Sequence, residues 1–216
     1  MFKKKKHTPF SVLVLAGGRS SRMGLNKDKG HMQFKGTSLI EYVLVNILSI
    51  EGVDKNNVII VGPKEKYSRH GFTVVEDLYP QKGPLGGIFS GLQYSNTFYN
   101  LVIGYDMPFV ESKLVEYMLS NSKGYDMVIP TYGKELYEPL CAIYSKNCLK
   151  TMEQNLKNNI LAVRGIFPRC KIRWIREEEI RIFDSELHSF FNINFQSDFK
   201  KAEILLYQRG KNIGKG

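Results

Sequence analysis

Short runs of β-branched and other apolar residues alternate along this chain with longer amphipathic runs, and no other feature constrains the fold as much. Strands buried on both faces read as nearly continuous apolar runs, and the helices that cover them show apolar residues every three or four positions. The alternation therefore predicts an α/β protein with a mostly parallel sheet and helices on both faces. The first run, residues 11–15, leads straight into Ala16, Gly17 and Gly18. In open sheets of this kind ligands sit beyond the carboxyl ends of the strands, at the point where strand order reverses, so chemistry is expected directly after Leu15.

Further strands are expected over residues 58–61, 72–75, 101–103, 127–129, 140–144 and 172–175, the run 127–129 stopping at Pro130. Ser38 and Glu41 make a capping-box pattern ahead of Leu39, Ile40, Val43, Leu44, Ile47 and Leu48, which share one helix face. Another helix is expected from Glu111, with Leu114, Val115, Met118 and Leu119 buried, and a closing one over residues 198–207. With no internal repeat and no Pro/Ser-rich linker, residues 1–216 read as a single Rossmann-like domain with a disordered basic N-terminal tail of about residues 1–9.

The formal net charge of +10 suits nucleic acid, an anionic membrane or small phosphorylated ligands, so charge alone does not choose among them. Lys3 to Lys6 and Arg209, Lys211 and Lys215 place part of the excess at the chain ends. No apolar run approaches the roughly 18 residues of a membrane span, and the stretch after the lysines is too short for a signal peptide, so a cytoplasmic protein with no membrane partner is expected. Cys141, Cys148 and Cys170 show no zinc-ligand spacing and read as reduced packing thiols. His7, His31, His70 and His188 are scattered, without a His-rich metal box or a Ser/His/Asp set.

The segment Leu15, Ala16, Gly17, Gly18, Arg19, Ser20, Ser21, Arg22, Met23, Gly24 puts three glycines and two arginines after the first strand. Glycines let backbone N–H groups converge on an anion, and arginine offers a forked, permanently charged partner for phosphate oxygens. Leu25 and Asn26 follow Gly24, so the Walker pattern fails, as does G-x-G-x-x-G. The segment resembles the L-A-G-G-x-S-x-R-M-G signature of nucleotidyltransferases that activate sugars, alditols or cofactors. In those enzymes a lysine shortly after the signature contacts the triphosphate; Asp28, Lys29, Gly30 match that element and assign the role to Lys29, with Lys27 the competing choice.

Nucleotidyl transfer needs charge neutralisation at the α-phosphate and in-line placement of the attacking oxygen, usually with a hard divalent cation held by one or two carboxylates. Two aspartates at expected strand ends offer such carboxylates. Asp106 follows the run 101–103 within Gly104, Tyr105, Asp106, Met107, Pro108. Asp77 follows the run 72–75 and precedes what reads as a second ligand loop, Gly83, Pro84, Leu85, Gly86, Gly87. Together they are expected to hold the metal.

The signature, the G-P-L-G-G element, Asp106 to Pro108, the Glu138, Pro139, Leu140 element with Ala142 and Tyr144, and Asn192, Ile193, Asn194 together resemble the molybdenum cofactor guanylyltransferase family over nearly the whole chain. That resemblance implies the nucleotide-diphospho-sugar transferase type of fold. It also implies transfer of GMP from GTP to the terminal phosphate of molybdenum-molybdopterin, with release of pyrophosphate. Its implied site has Lys29, Arg22 and Asp106 as catalytic residues, and Leu15, Ala16, Gly17, Gly18, Lys29, Asp77 and Asp106 around the nucleotide. Asp106 would be the Mg2+ ligand, while Asn192 and Asn194 would face the pterin.

Implied partners are GTP, molybdopterin and, transiently, molybdoenzymes or other cofactor-synthesis proteins. Ser197 reads as a cap of the last helix. Gly62 stands where some relatives place an asparagine near the base, so a CTP- or UTP-dependent transferase acting on a sugar, alditol or molybdopterin is the alternative. A nucleic-acid-binding module built on Arg164, Arg169, Arg173 and Trp174 would leave the glycine-rich loop and the aspartates unexplained. A silent nucleotide-binding regulator would leave Lys29, Asp77 and Asp106 unexplained.

Overall fold

The computed structural model describes residues 9–17, 33–34, 36–134 and 136–213. Gly18, Arg22, Lys27 and Lys29, and the basic tail apart from Pro9, lie outside the described residues.

Among the described residues eight strands form the main sheet. Seven run in the order β5 (Thr73–Val75), β4 (Val58–Val61), β1 (Phe10–Leu15), β6 (Tyr99–Gly104), β9 (Cys141–Ser145), β7 (Met127–Tyr132) and β10 (Ile172–Ile175), with β8 (Leu136–Tyr137) paired to the end of β7. The β5–β4–β1–β6 block and the β7–β10 pair are parallel, whereas β9 is antiparallel to both neighbours, making the sheet mixed but mostly parallel. Successive residues of each strand supply opposite faces, as the pleat requires. Val12, Val14, Ile60, Leu101 and Ile103 pack against α1 (Leu39–Leu48), α4 (Ser112–Ser120) and α6 (Glu177–Arg181). Leu13, Leu15, Val61, Val102 and Tyr144 pack against α3 (Gly83–Tyr94) and α5 (Cys148–Lys157). Helices thus cover both faces, as expected.

A third cluster joins the short hairpin of β2 (Gln33–Phe34) and β3 (Thr37–Ser38) to α1, to Phe109 and Ile193, and to the closing helix α7 (Gln196–Ile213), through Phe34, Leu39, Phe199 and Ala202. The short helix α2 (Lys64–Tyr67) buries Tyr67 beneath the end of β1. None of the helices described is long and apolar enough to cross a membrane.

Several boundaries differ from expectation for identifiable reasons. The run at 127–129 continues through Pro130, which lies between the last β9 pair at Val128 and the first β8 pair at Thr131, where ladder partners change over. The G-P-L-G-G segment is not a loop but the first turns of α3. Proline suits the opening turn of a helix, and burial of Leu85, Ile88, Phe89 and Leu92 outweighs the weak helix propensity of its glycines. Leu48 is 39% exposed and so leaves the buried face of α1. Ser197 does not cap α7: the Asp198 carboxylate accepts the N–H groups of Asn194 and Phe195 at 2.9 and 2.8 Å.

Candidate active site

The parallel register sets up the site. Leu15 is level with Val61 and Gly104, and Val61 with Val75, so the chain leaves β1, β4, β5 and β6 along one carboxyl edge. Strand order reverses at β1, since the chain moves from β1 out to β4 and β5 and then returns to β6 on the other side. Ala16 and Gly17, Gly62, Asp77 and Asp106 stand one or two residues past this line. The edge is therefore the crevice expected to receive a ligand.

The first strand turns off the edge with its polar backbone already engaged. Ala16 N–H donates to the Val61 carbonyl at 2.9 Å, Leu15 C=O accepts from Tyr105 N–H at 3.2 Å, and Ala16 C=O accepts the Tyr67 hydroxyl at 3.1 Å. These bonds brace the start of the glycine-rich segment.

At the end of β6, Gly104 allows the close approach that Asp106 makes: a Cβ at residue 104 would lie 2.7 Å from Asp106 Oδ1. Tyr105 packs its partly buried ring against the core. The Asp106 carbonyl accepts the Ile193 N–H at 2.9 Å. That one bond draws Asn192 and Asn194, from a segment 86 or more positions later in the chain, to the side of Asp106.

Asp77 is placed differently. Its Oδ1 accepts from Tyr79 N–H at 2.9 Å and from Ser90 Oγ at 3.0 Å, and both carboxylate oxygens lie against Gly86 of α3. Burial pushes its carboxyl above the usual range, against the pull of these two bonds. Since β5 stands three strands from β6, the two aspartates arise roughly 14 Å apart at ordinary strand spacing. Ligands of one cation lie within about 4 Å of each other, so Asp77 and Asp106 do not share a metal, contrary to the sequence-based expectation. Asp77 instead ties the end of β5 to the first turns of α3.

The carboxylate beside Asp106 is Glu138, quoted above only as part of a motif. It is held by Leu140 N–H on Oε1 at 3.1 Å, and its main-chain N–H donates to the Pro130 carbonyl at 3.1 Å. Burial pushes its carboxyl above the ordinary range, the negative charge of Asp106 adds to the rise, and the Asn192 amide works the other way. Tyr144, fully buried, donates its hydroxyl to the Pro139 carbonyl at 2.9 Å and steadies the same turn. Glu138 comes from the short connection between β8 and β9, whose placement depends on how those strands pair, which is why spacing gave no sign of it. No group of three or more His, Cys, Asp or Glu side chains poised for a metal occurs among the described residues.

The basic cluster considered for nucleic acid is largely engaged internally. Arg173 pairs with Glu179 at 2.5 Å, Arg169 bonds Gln154 at 3.1 Å, and Trp174 packs edge-on against Phe167. The cysteines are free, with Cys141 and Cys148 buried, as their reading as packing thiols requires.

The sequence pattern of the MobA-like NTP transferase domain matches residues 12–170, the stretch that contains this whole strand edge up to Glu138. The chain belongs to that family. A probable molybdenum cofactor guanylyltransferase of Pelotomaculum thermopropionicum is 33% identical over 198 residues, covering 89% of this chain and 91% of its own. One of Clostridium perfringens is 33% identical over 200 residues, covering 90% and 98%. The crystal structure of molybdopterin-guanine dinucleotide biosynthesis protein A from Archaeoglobus fulgidus superposes with a TM-score of 0.78 at 29% identity, covering 92% of this chain and 99% of that one. As a MobA-like protein the chain is a nucleotidyltransferase, and its fold is that of the nucleotide-diphospho-sugar transferases.

Proposed function

We propose that this MobA-like enzyme transfers GMP from GTP to the terminal phosphate of molybdenum-molybdopterin. A terminal phosphate oxygen forms a bond to the α-phosphorus, the bond from that phosphorus to the bridging oxygen breaks, and pyrophosphate leaves. The observation that carries the reading is the Ile193 N–H bond to the Asp106 carbonyl. It sets the asparagines assigned to the pterin beside the carboxylate assigned to the reacting phosphates.

In this reading the nucleotide lies over the ends of β4 and β1, with its triphosphate directed toward β6 and the pterin above β6 and β9. Gly17 and Gly18 give backbone N–H groups to phosphate, Arg22 and Lys29 balance its charge, and Asp77 shapes the nucleotide side by fixing the start of α3. Asp106 is the ligand for Mg2+. The donor set suits such an ion: Asp106 and Glu138 are oxygen donors close enough to raise the pKa of the latter, and magnesium is commonly held by one or two carboxylates with substrate phosphates completing its shell. When bound, the ion offsets charge that develops on the phosphate oxygens. The remaining catalysis is positioning and electrostatics, with no side-chain nucleophile.

The test is pyrophosphate release by the purified protein with magnesium and each nucleoside triphosphate, with and without molybdenum-loaded molybdopterin. Release that requires GTP and the pterin together is the expected result. Release with CTP or UTP would move the base assignment, and no release with any pair would sink the proposal.

A further inference from the structure

Tyr132 is the last residue of β7, and β7 ends at the same edge of the sheet as β6, since β9 lies between them antiparallel to both. At ordinary strand spacing the ends of β6 and β7 are roughly 10 Å apart. Tyr132 therefore belongs to the substrate edge, on the side of Asp106 away from β1 and β4. Its ring stacks on Phe190, with centroids 4.7 Å apart and planes inclined by 3°. Phe190 is 7% exposed whereas Tyr132 is half-buried, so the accessible part of the pair belongs to Tyr132.

Bonds on either side of Phe190 hold the stack. The buried Asp184 carboxylate accepts the N–H groups of His188 and Ser189 at 2.9 and 2.7 Å, and the Ser189 hydroxyl accepts the Glu111 N–H at 3.0 Å. The Phe190 carbonyl accepts Asn192 Nδ2 at 3.1 Å, and three residues beyond Phe190 the Ile193 N–H bonds the Asp106 carbonyl. This segment fixes Phe190, and with it the Tyr132 ring, relative to the carboxylate assigned to the reacting phosphates. Among the described residues no second ring packs on Tyr132, and its hydroxyl makes no hydrogen bond.

We propose that Tyr132, backed by Phe190, is the stacking residue for the flat heteroaromatic ring of the second substrate. The inference rests on the proposed function, in which that substrate is molybdopterin. Aromatic side chains and heteroaromatic rings attract by offset stacking, and a side chain already locked in place gives up little rotamer freedom when a ligand settles on it. Molybdopterin separates its terminal phosphate from its pterin by a fused pyran ring and a methylene group. With the phosphate at Asp106, the pterin is carried away from β6, toward the end of β7. The guanine of GTP, placed over β4 and β1, is kept from the same ring because β1 stands three strands from β7.

The experiment measures steady-state pyrophosphate release by the full chain with magnesium, varying GTP and molybdopterin separately, for wild type, Y132F and Y132L. Y132L keeps an apolar side chain against Phe190 but removes the flat ring. Its KM for molybdopterin is expected to rise about tenfold, the scale of losing one base–aromatic stack, and the KM for GTP is not expected to follow. Y132F retains the ring and is expected to keep a molybdopterin KM close to that of wild type. A second readout is the near-ultraviolet band of molybdopterin bound at saturation, which stacking weakens: the band is expected to lose intensity on wild type and Y132F and to keep it on Y132L.

An unchanged molybdopterin KM in Y132L, or an equal rise in the KM for GTP, would overturn the inference. So would a loss in Y132F as large as in Y132L, which would assign the contact to the hydroxyl, or a band that does not weaken on wild type, which would leave Tyr132 only a support for Phe190. If Y132L does not melt cooperatively, Y132M, which fills more of the space without a ring, is measured in its place. Wild-type activity separates the two levels: without release from GTP and molybdopterin the proposed function fails, and with such release only the role of Tyr132 is at stake.

Discussion

At the residue scale, the edge combines carboxylates with different tasks. Asp77 is occupied by turn-building bonds to Tyr79 and Ser90, whereas close packing on Gly104 directs Asp106. Asp106→Asn keeps the shape and removes the charge; pyrophosphate release is expected to fall at least about 100-fold, the scale of losing one electrostatic contact to a reacting phosphate, while the melting temperature stays near that of wild type. Gly86 makes the opposite case. A Cβ there would meet the Tyr79 carbonyl at 2.8 Å and both Asp77 oxygens at 3.1 Å. Gly86→Ala is therefore expected to cost about 1–3 kcal/mol through overpacking, read from denaturant unfolding.

At the element scale, the helices near the site are held by local acceptors. Glu41 caps α1: its Oε2 accepts Ser38 N–H at 2.9 Å, Ser38 Oγ–H at 2.6 Å and Thr37 Oγ1–H at 2.8 Å. The Ser38 hydroxyl, then the Ser38 backbone and Thr37, hold its carboxyl down at about 2. A depressed carboxyl favours the folded state above the unfolded-state pKa, and that contribution fades as pH falls from about 4.5 toward 2. Melting curves between these limits should show a steeper loss for wild type than for Glu41→Gln. Since Glu41 is 45% exposed, the difference at neutral pH is expected to be on the order of 1 kcal/mol or less after solvent screening.

At the scale of the molecule, a net charge of +10 meets two polyanionic substrates in the proposed reaction. Long-range attraction raises their local concentration and is screened once the Debye length shrinks from about 10 Å at 0.1 M salt to about 3 Å at 1 M. The KM values for GTP and molybdopterin should both rise with potassium chloride while kcat changes less; salt-independent KM values would show that the excess charge lies away from the approach path. The free edges of the sheet, β5 and β10, differ in their surroundings: Arg173 on β10 is paired with Glu179, whereas β5 leads directly to Asp77.

The sequence by itself determined the elements whose signals are local. The run ending at Leu15, the strand Val58–Val61, the capping box at Ser38 and Glu41 and the apolar face of α4 follow from hydrophobic period and terminal chemistry, which act over a few residues. The signature at Leu15 to Gly24 likewise pointed to nucleotidyl transfer. Tertiary structure alone decided which of these meet. Strand order placed Asp77 three strands from Asp106 and ended the idea of a shared metal. Burial of Leu85, Ile88 and Phe89 made a helix of a glycine-rich stretch, and the antiparallel insertion of β9 set Glu138 beside Asp106 and Asn192. The reason is physical: period and capping are written within one turn of chain, whereas strand order and long-range hydrogen bonds depend on how distant apolar faces are buried together.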